Sequence, residues 1–189
     1  MSCRSDLIRP VLRDCTPSDI AAVTAIYAHA VRHGRASFEV DPPDATEMAR
    51  RRDAVLTGGF PYLVAEIGGA VVGYAYAGAY RSRPAYAGTV ESSVYVTPRL
   101  QARGIGGALL AELVDEAAAR GFRQMVAVIG DSANAASVRL HARAGFRLVG
   151  TLASVGWKHG VWLDTVLMQR PLGDGDRSPP ARPPLQKPA

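Results

Sequence analysis

The stretch TVESSVYVTPRLQARGIGGALL, residues 89–110, constrains the fold more than any other part of the chain. Its first eight residues are rich in β-branched and aromatic side chains, the composition of a strand. Gly104, Gly106 and Gly107 then stand where an amphipathic helix opens, and each helical glycine costs roughly 0.5–1 kcal/mol relative to alanine. A strand that ends at Val96 and passes through a short turn into a glycine-rich helix start directs bare backbone N–H groups and the positive end of the helix dipole at one spot. Such a site suits an oligophosphate, because missing Cβ atoms let an anion approach the backbone. A Walker A loop would need lysine and a hydroxyl after the last glycine, where this chain has Gly107-Ala108. The dinucleotide fingerprint would need a third glycine at 109, where Leu109 stands. A tight helix start packed on a sheet is the alternative.

The rest of the chain alternates strand and helix signals. IRPVLR, residues 8–13, predicts a first strand. Thr16-Pro17-Ser18-Asp19 predicts a helix start, with a capping residue, proline at the first position and an acid three residues on. Ile20, Val23, Ile26, Tyr27, Ala30 and Val31 follow at helical spacing. The loop HGRASFEVDPP leads to a polar helix from about Asp44 to Leu56. Two apolar runs flank Gly68-Gly69 within 62–80, a hairpin signal. The helix at 104–120 carries a stripe of Ile105, Leu109, Leu110, Leu113, Val114 and Ala117, with Gly121 as its C-terminal cap. A buried strand at 124–130, a short helix at 137–146 and two strands near 147–154 and 161–168 complete the order. This predicts a mixed α/β fold with an antiparallel meander, a strand–helix–strand crossover and a closing pair.

With 189 residues, 48% of them hydrophobic and 21% charged, the chain suits one globular domain over residues 1–170. The Pro-rich segment 171–189 is expected to be a mobile tail. No apolar run reaches membrane-span length, so no membrane partner is expected. The N-terminal MSCRSDLIRP lacks a secretory h-region, and Cys3 and Cys15 lack metal-ligand or redox spacing. A cytoplasmic protein with free thiols is the expectation. The net charge of +5 suits a small polyanionic ligand; the one dense basic cluster, MARRRD at 48–53, reads as a solvated helix face, and no nucleic-acid partner is expected.

Several side chains could carry chemistry. Alternation places Glu91, Ser93 and Tyr95 on one face of their strand. A partly desolvated Glu91 carboxylate would have a raised pKa and could accept a proton, whereas an exposed edge glutamate would do nothing of the kind. His141 lies in the short helix beside the core-facing Leu140, as a packing residue or a site residue. Arg81 and Arg83 could grip an anionic group in a two-pronged manner or simply decorate a hairpin tip. Phe38 and Tyr86 could wall a pocket or belong to the core. His29 and His33 have zinc-type spacing on a helix, but no third ligand or HExxH pattern accompanies them, so no metal is expected.

Gln101-Ala102-Arg103-Gly104-Ile105-Gly106 resembles the Q/R-x-x-G-x-G/A segment of the GCN5-related N-acetyltransferases, and Asn134-x-x-Ser137 and Ala144-Gly145-Phe146 resemble that superfamily too. TVESSVYV, VAVIG, SVRLHARAGF and GWKHGVWLD look like its phosphinothricin N-acetyltransferase and amino-acid-acylating branch. The segment from Tyr80 to Tyr86 is similar to that branch's substrate loop, and ASFEVDPP to its entry loop. Two departures are Gly107, where many relatives carry a polar or basic residue, and Pro84 within the substrate loop.

The resemblance implies a GNAT fold, with a mostly antiparallel mixed sheet of about seven strands and about four helices. It implies acetyl-CoA as co-substrate and transfer to the α-amino group of a small amino acid such as phosphinothricin, methionine sulfone or methionine sulfoximine. Protein N-termini or other amines stand as alternative acceptors, and a non-catalytic CoA-binding module is a further alternative. It places the co-substrate against Val94, Tyr95, Val96, Gln101, Arg103, Gly104, Ile105, Gly106, Gly107, Ala108, Asn134 and Ser137. An oxyanion donor is implied near the Val96 amide. It makes Glu91 the general base and gives His141 a catalytic or orienting role. It assigns the amino acid to Phe38, Arg81, Arg83, Tyr86 and Glu91, and it implies a homodimer.

Overall fold

A computed structural model describes residues 10–180 of the chain. Strand β1 spans Val11–Asp14, so the first two residues expected for it, 8 and 9, lie outside the described residues, as does Cys3. A single 3-10 turn, Pro17–Asp19, then feeds helix α1, Ile20–His33. The expected capping arrangement is present, because the Asp19 carboxylate accepts from the Thr16 backbone N–H at 2.7 Å and its hydroxyl at 2.8 Å. Arg13 adds two further bonds to that carboxylate, at 2.7 and 2.9 Å, and also holds Glu66. On α1 the buried stripe uses Ala28 in place of the expected Ala30, which is only half-buried.

Helix α2, Ala45–Thr57, begins at Asp44, whose side chain accepts from the Glu47 N–H at 2.8 Å. Strands β2, Tyr62–Ile67, and β3, Ala70–Ala79, form the hairpin about Gly68-Gly69. Then come β4, Thr89–Val96; α3, Ile105–Ala119; β5, Gln124–Gly130; α4, Ala135–Arg143; β6, Arg147–Lys158; and β7, Val161–Pro171. Helix α4 starts two residues before the expected position, because the Asn134 side chain accepts from the Ser137 N–H at 3.1 Å and caps it there. It stops short of Gly145, whose φ of +83° ends the helical path. The last two strands outrun expectation because they extend as one long hairpin, with irregular pairing between Leu152 and Gly156.

The seven strands form one sheet in the order β1-β2-β3-β4-β5-β7-β6, antiparallel throughout except for β4 and β5. The sheet is covered on both faces at its centre. In β3, Ala75 and Ala77 join the core under α3, with Leu109, Leu110 and Leu113, while Tyr74 faces the layer of α1 and α2, with Val23, Val31 and Met48. That double burial explains why these strands read as continuous apolar runs.

The sheet also passes the boundary expected at residue 170. Pro171 is still paired, with Gln124, and Leu172 is 1% exposed inside the α3-side core. Among the described residues, no helix is long and apolar enough to cross a membrane.

Candidate functional site

Gly104 is the N-cap of α3 at φ +86°, a left-handed conformation that side chains with a Cβ rarely adopt. The first hydrogen bond of the helix runs from the Ala108 N–H to the Gly104 carbonyl at 3.0 Å. The amides of Ile105, Gly106 and Gly107 therefore precede the first intrahelical donor. Ile105 is 2% exposed and roots the turn in the core. A Cβ added to Gly106 would come no nearer than 3.6 Å to any atom, and one on Gly107 no nearer than 3.9 Å, both ordinary contacts with Leu140. Packing on the sheet thus does not demand glycine at either position. What their lack of a Cβ creates is an open approach to the amides, the geometry an anionic diphosphate requires. Gln101, Ala102 and Arg103 are exposed around this turn, and the Gln101 amide donates to the Val96 carbonyl at 3.2 Å.

The strand leading into the turn is open along one edge. Strands β4 and β5 pair only from Thr89–Gln124 to Ser92–Ala127, after which they diverge. Beyond that point β4 pairs with β3 alone. The Thr97 N–H bonds to Val72 on the β3 side at 2.8 Å. By strand alternation the N–H groups of Val94 and Val96 point the other way, toward the gap left by β5. A polar chain entering this gap can pair with β4 as an added strand would. Tyr95 differs from its neighbours: its ring packs at 5.1 Å on Tyr27 and 5.2 Å on Tyr74, under α1.

Glu91 lies on β4 opposite Gly78, as Ser93 lies opposite Tyr76 and Tyr95 opposite Tyr74. The three β4 residues therefore share the face expected for them. Glu91 is half-buried, and desolvation raises its carboxyl pKa. His141 is 5% exposed on α4, with its ring edge-on to Phe146 at 5.0 Å. Its Nδ1 lies 2.9 Å from the Ser137 carbonyl oxygen, which only accepts, so Nδ1 carries a proton and Nε2 is left as the acceptor in the neutral ring. Burial lowers the pKa of this imidazole. Glu91 and His141 belong to different layers, and neither hydrogen-bonds the other.

The loop between β3 and β4 holds a cleft of about 380 Å³ lined by Arg81, Ser82, Arg83 and Tyr86. Pro84 opens a one-turn 3-10 helix over Pro84–Tyr86, so the departure seen in sequence is accommodated as a helical start. The Arg81 guanidinium lies 5.2 Å above the Tyr80 ring, and Tyr86 meets the same ring edge-on at 5.8 Å. Both arginines are exposed, with their charges available to an incoming anion.

Phe38 is 39% exposed in the loop after α1. Its ring passes so close to Gly130 and Gly156 that an added Cβ would meet it at 2.8 and 2.4 Å respectively. Asn134 and Ser137 are engaged in capping α4, and the Ser137 carbonyl orients His141.

Sequence reasoning passed over the residues that mount the loop after α1. Lys158 is 4% exposed, and its ammonium donates to the Ser37 carbonyl at 2.7 Å. Glu39 accepts from the Tyr27 hydroxyl at 2.9 Å and from Arg51 at 2.6 Å. A buried lysine inside an apolar strand hairpin, GWKHGVW, was the available signal. The rings of His29 and His33 lie 4.6 Å apart at a tilt of 43°, and no group of three metal-type ligands forms among the described residues.

The chain matches the model of the acetyltransferase (GNAT) family over residues 23–146. It is 53% identical over 170 residues to the phosphinothricin N-acetyltransferase of Alcaligenes faecalis, covering 90% of this chain and 85% of that protein. It is 42% identical over 163 residues to the L-methionine sulfoximine/L-methionine sulfone acetyltransferase of Salmonella typhimurium, covering 86% of this chain and 95% of that protein. The crystal structure of a phosphinothricin acetyltransferase from Sinorhizobium meliloti in complex with acetyl-CoA superposes with a TM-score of 0.89 at 47% identity, covering 92% of this chain and 94% of that one. The bare amides of the glycine turn, the opened edge of β4 and these likenesses converge: the chain belongs to the acetyltransferase (GNAT) family, in its branch of phosphinothricin and methionine sulfoximine/sulfone N-acetyltransferases.

Proposed function

We propose that the protein transfers an acetyl group from acetyl-CoA to the α-amino group of a small amino acid bearing a second polar or anionic end, of the phosphinothricin, methionine sulfone or methionine sulfoximine type. The observation that carries this reading is the opened edge of β4, with the Val94 and Val96 amides facing the gap and the glycine turn at its end. The amides from Ile105 to Gly107 would hold the diphosphate, with Arg103 nearby. Acetyl-CoA supplies a thioester as the activated acyl donor. The Val96 N–H is available to the acyl oxygen as negative charge gathers on it.

Glu91 takes the proton from the incoming ammonium or through a water, and its raised pKa improves it as a base. His141, neutral with Nε2 free to accept, orients the amine or receives a proton. A proton held there can pass to the CoA thiolate as it leaves. Arg81 and Arg83 bind the anionic end of the substrate in the cleft that Tyr86 also lines, and Phe38, part-exposed beside Gly130 and Gly156, offers an apolar wall to the substrate's other end. Two guanidinium groups at one small cleft suit the carboxylate or phosphinate of a free amino acid better than an uncharged peptide chain.

The active species is a homodimer joined through β6. Leu148, Val149, Leu152, Val155, Trp157 and Trp162 are 49–64% exposed on the β6–β7 hairpin at the sheet edge, an apolar surface of the kind that partners cover.

Release of CoA thiol is measured with free phosphinothricin, methionine sulfone and methionine sulfoximine and with peptides beginning in the same residues. Turnover of a free amino acid well above that of Glu91→Ala supports the reading. Acetyl-CoA binding with no turnover of any amine defeats it, and preference for the peptides moves the acceptor to protein N-termini.

A further inference from the structure

The loop that carries Arg81, Arg83 and Tyr86 is unevenly fastened. At its start the Tyr80 N–H reaches the Thr89 carbonyl only at 3.5 Å. At its end the Gly88 carbonyl accepts two backbone N–H groups, from Arg123 at 2.8 Å and Gln124 at 3.2 Å. The firm end of the loop is therefore the residue before β4, and Arg123 is its anchor.

Arg123 is in turn wrapped by the segment after β7. Its carbonyl accepts from the Leu172 N–H at 2.9 Å. Its Nη2 donates to the Ser178 hydroxyl at 2.8 Å and to the Pro179 carbonyl at 3.1 Å, and its Nη1 lies 3.4 Å from the Asp174 carboxylate. The Arg123 side chain is 19% exposed, and its Nε is buried with no hydrogen-bond partner among the described residues. The segment returns to the loop itself, since a Cβ added to Gly88 would stand 3.4 Å from the Pro180 side chain. Leu172 roots the whole turn in the core.

We propose that the segment 172–180 is a clip for the substrate loop, and that Arg123 is the positioning residue through which it acts on Arg81 and Arg83. Its tethered guanidinium keeps the Arg123 and Gln124 amides aimed at Gly88, and Gly88 sets the exit of the loop into β4, three residues before Glu91. The proposal rests on the reading of that loop as the amino-acid site.

Two truncations separate the clip from the rest of the tail: one ends at Pro180, the other at Leu172, which keeps the core residue. Arg123→Met removes the tether within the full chain. Hydrogen exchange of the loop amides, residues 80–89, is read together with steady-state kinetics. The expected result is faster loop exchange and an amine KM raised about 3- to 10-fold for the truncation at Leu172 and for Arg123→Met. The KM for acetyl-CoA stays unchanged in both, and the truncation at Pro180 behaves as the full chain. Combining Arg123→Met with the truncation at Leu172 adds nothing further. Unchanged loop exchange overturns the clip whatever the kinetics. Faster exchange with an unchanged amine KM upholds the clip and overturns the loop's part in amine binding. Arg81→Gln checks that part independently by its own amine KM.

Discussion

Glu91 and His141 are moved in opposite directions by the same cause. Burial disfavours charge, so it raises the Glu91 carboxyl above its ordinary 4.5 and lowers the His141 imidazole below its ordinary 6.5. In the proposed roles both groups must be unprotonated to accept a proton, so both would shape the acid limb of kcat/KM, which would fall as pH drops through their folded values. Glu91→Gln is expected to lower kcat/KM by about 10²–10⁴-fold and to remove one ionisation from that limb. His141→Gln removes the other. A pH–rate profile measured with saturating acetyl-CoA reads both, and a limb unchanged in Glu91→Gln removes it from the base role. The Glu91 face was visible in TVESSVYV by alternation alone. The tautomer of His141 was not, because it depends on a carbonyl one helical turn away whose place is set by the cap at Asn134.

At the scale of the element, the glycines of α3 have different reasons for being glycine. Gly104 is held at positive φ, so Gly104→Ala costs about 1–2 kcal/mol and lowers Tm by roughly 2–8 °C in a domain of this size. Gly106 has room for a Cβ, and alanine is the better helix former, so Gly106→Ala leaves Tm unchanged or raises it. Its effect falls on acetyl-CoA, whose KM is expected to rise. Thermal melts paired with KM measurements check both, and a Gly106→Ala variant of unaltered acetyl-CoA KM argues against the cradle.

The start of α1 has a comparable device. Arg13 and Thr16 hold the Asp19 carboxyl far below its ordinary range, so its stabilisation is complete above the unfolded pKa near 4 and is lost as pH falls toward the folded one. Asp19→Asn should cost about 2 kcal/mol at pH 7, and the difference from the parent chain should shrink below pH 4 in denaturant melts. The sequence signalled the cap through Thr16-Pro17-Ser18-Asp19 but said nothing of Arg13, which reaches Asp19 from the neighbouring strand.

For the whole molecule, the edge strand β6 matters most. Trp157 and Trp162 are 58% and 64% exposed and meet edge-on at 5.2 Å, so an isologous pairing would bury both from each copy. Replacing both by glutamate is expected to give a monomer in analytical ultracentrifugation while the fold, followed by circular dichroism, persists. A parent chain that is already monomeric at micromolar concentration overturns the dimer.

The kind and order of the elements, the stripe of α3 and the glycine turn were legible along the chain, because periodicity, caps and turns act between residues within a few positions of one another. It also carried Glu91, His141, Arg81 and Arg83 as candidates. Folding in three dimensions settled where β4 parts from β5, that Phe38 lies against Gly130 and Gly156, that Lys158 holds the loop after α1 at Ser37, and that residues 172–180 wrap Arg123. Those features join residues far apart in the chain. They follow from sheet twist and side-chain packing, which no local pattern encodes.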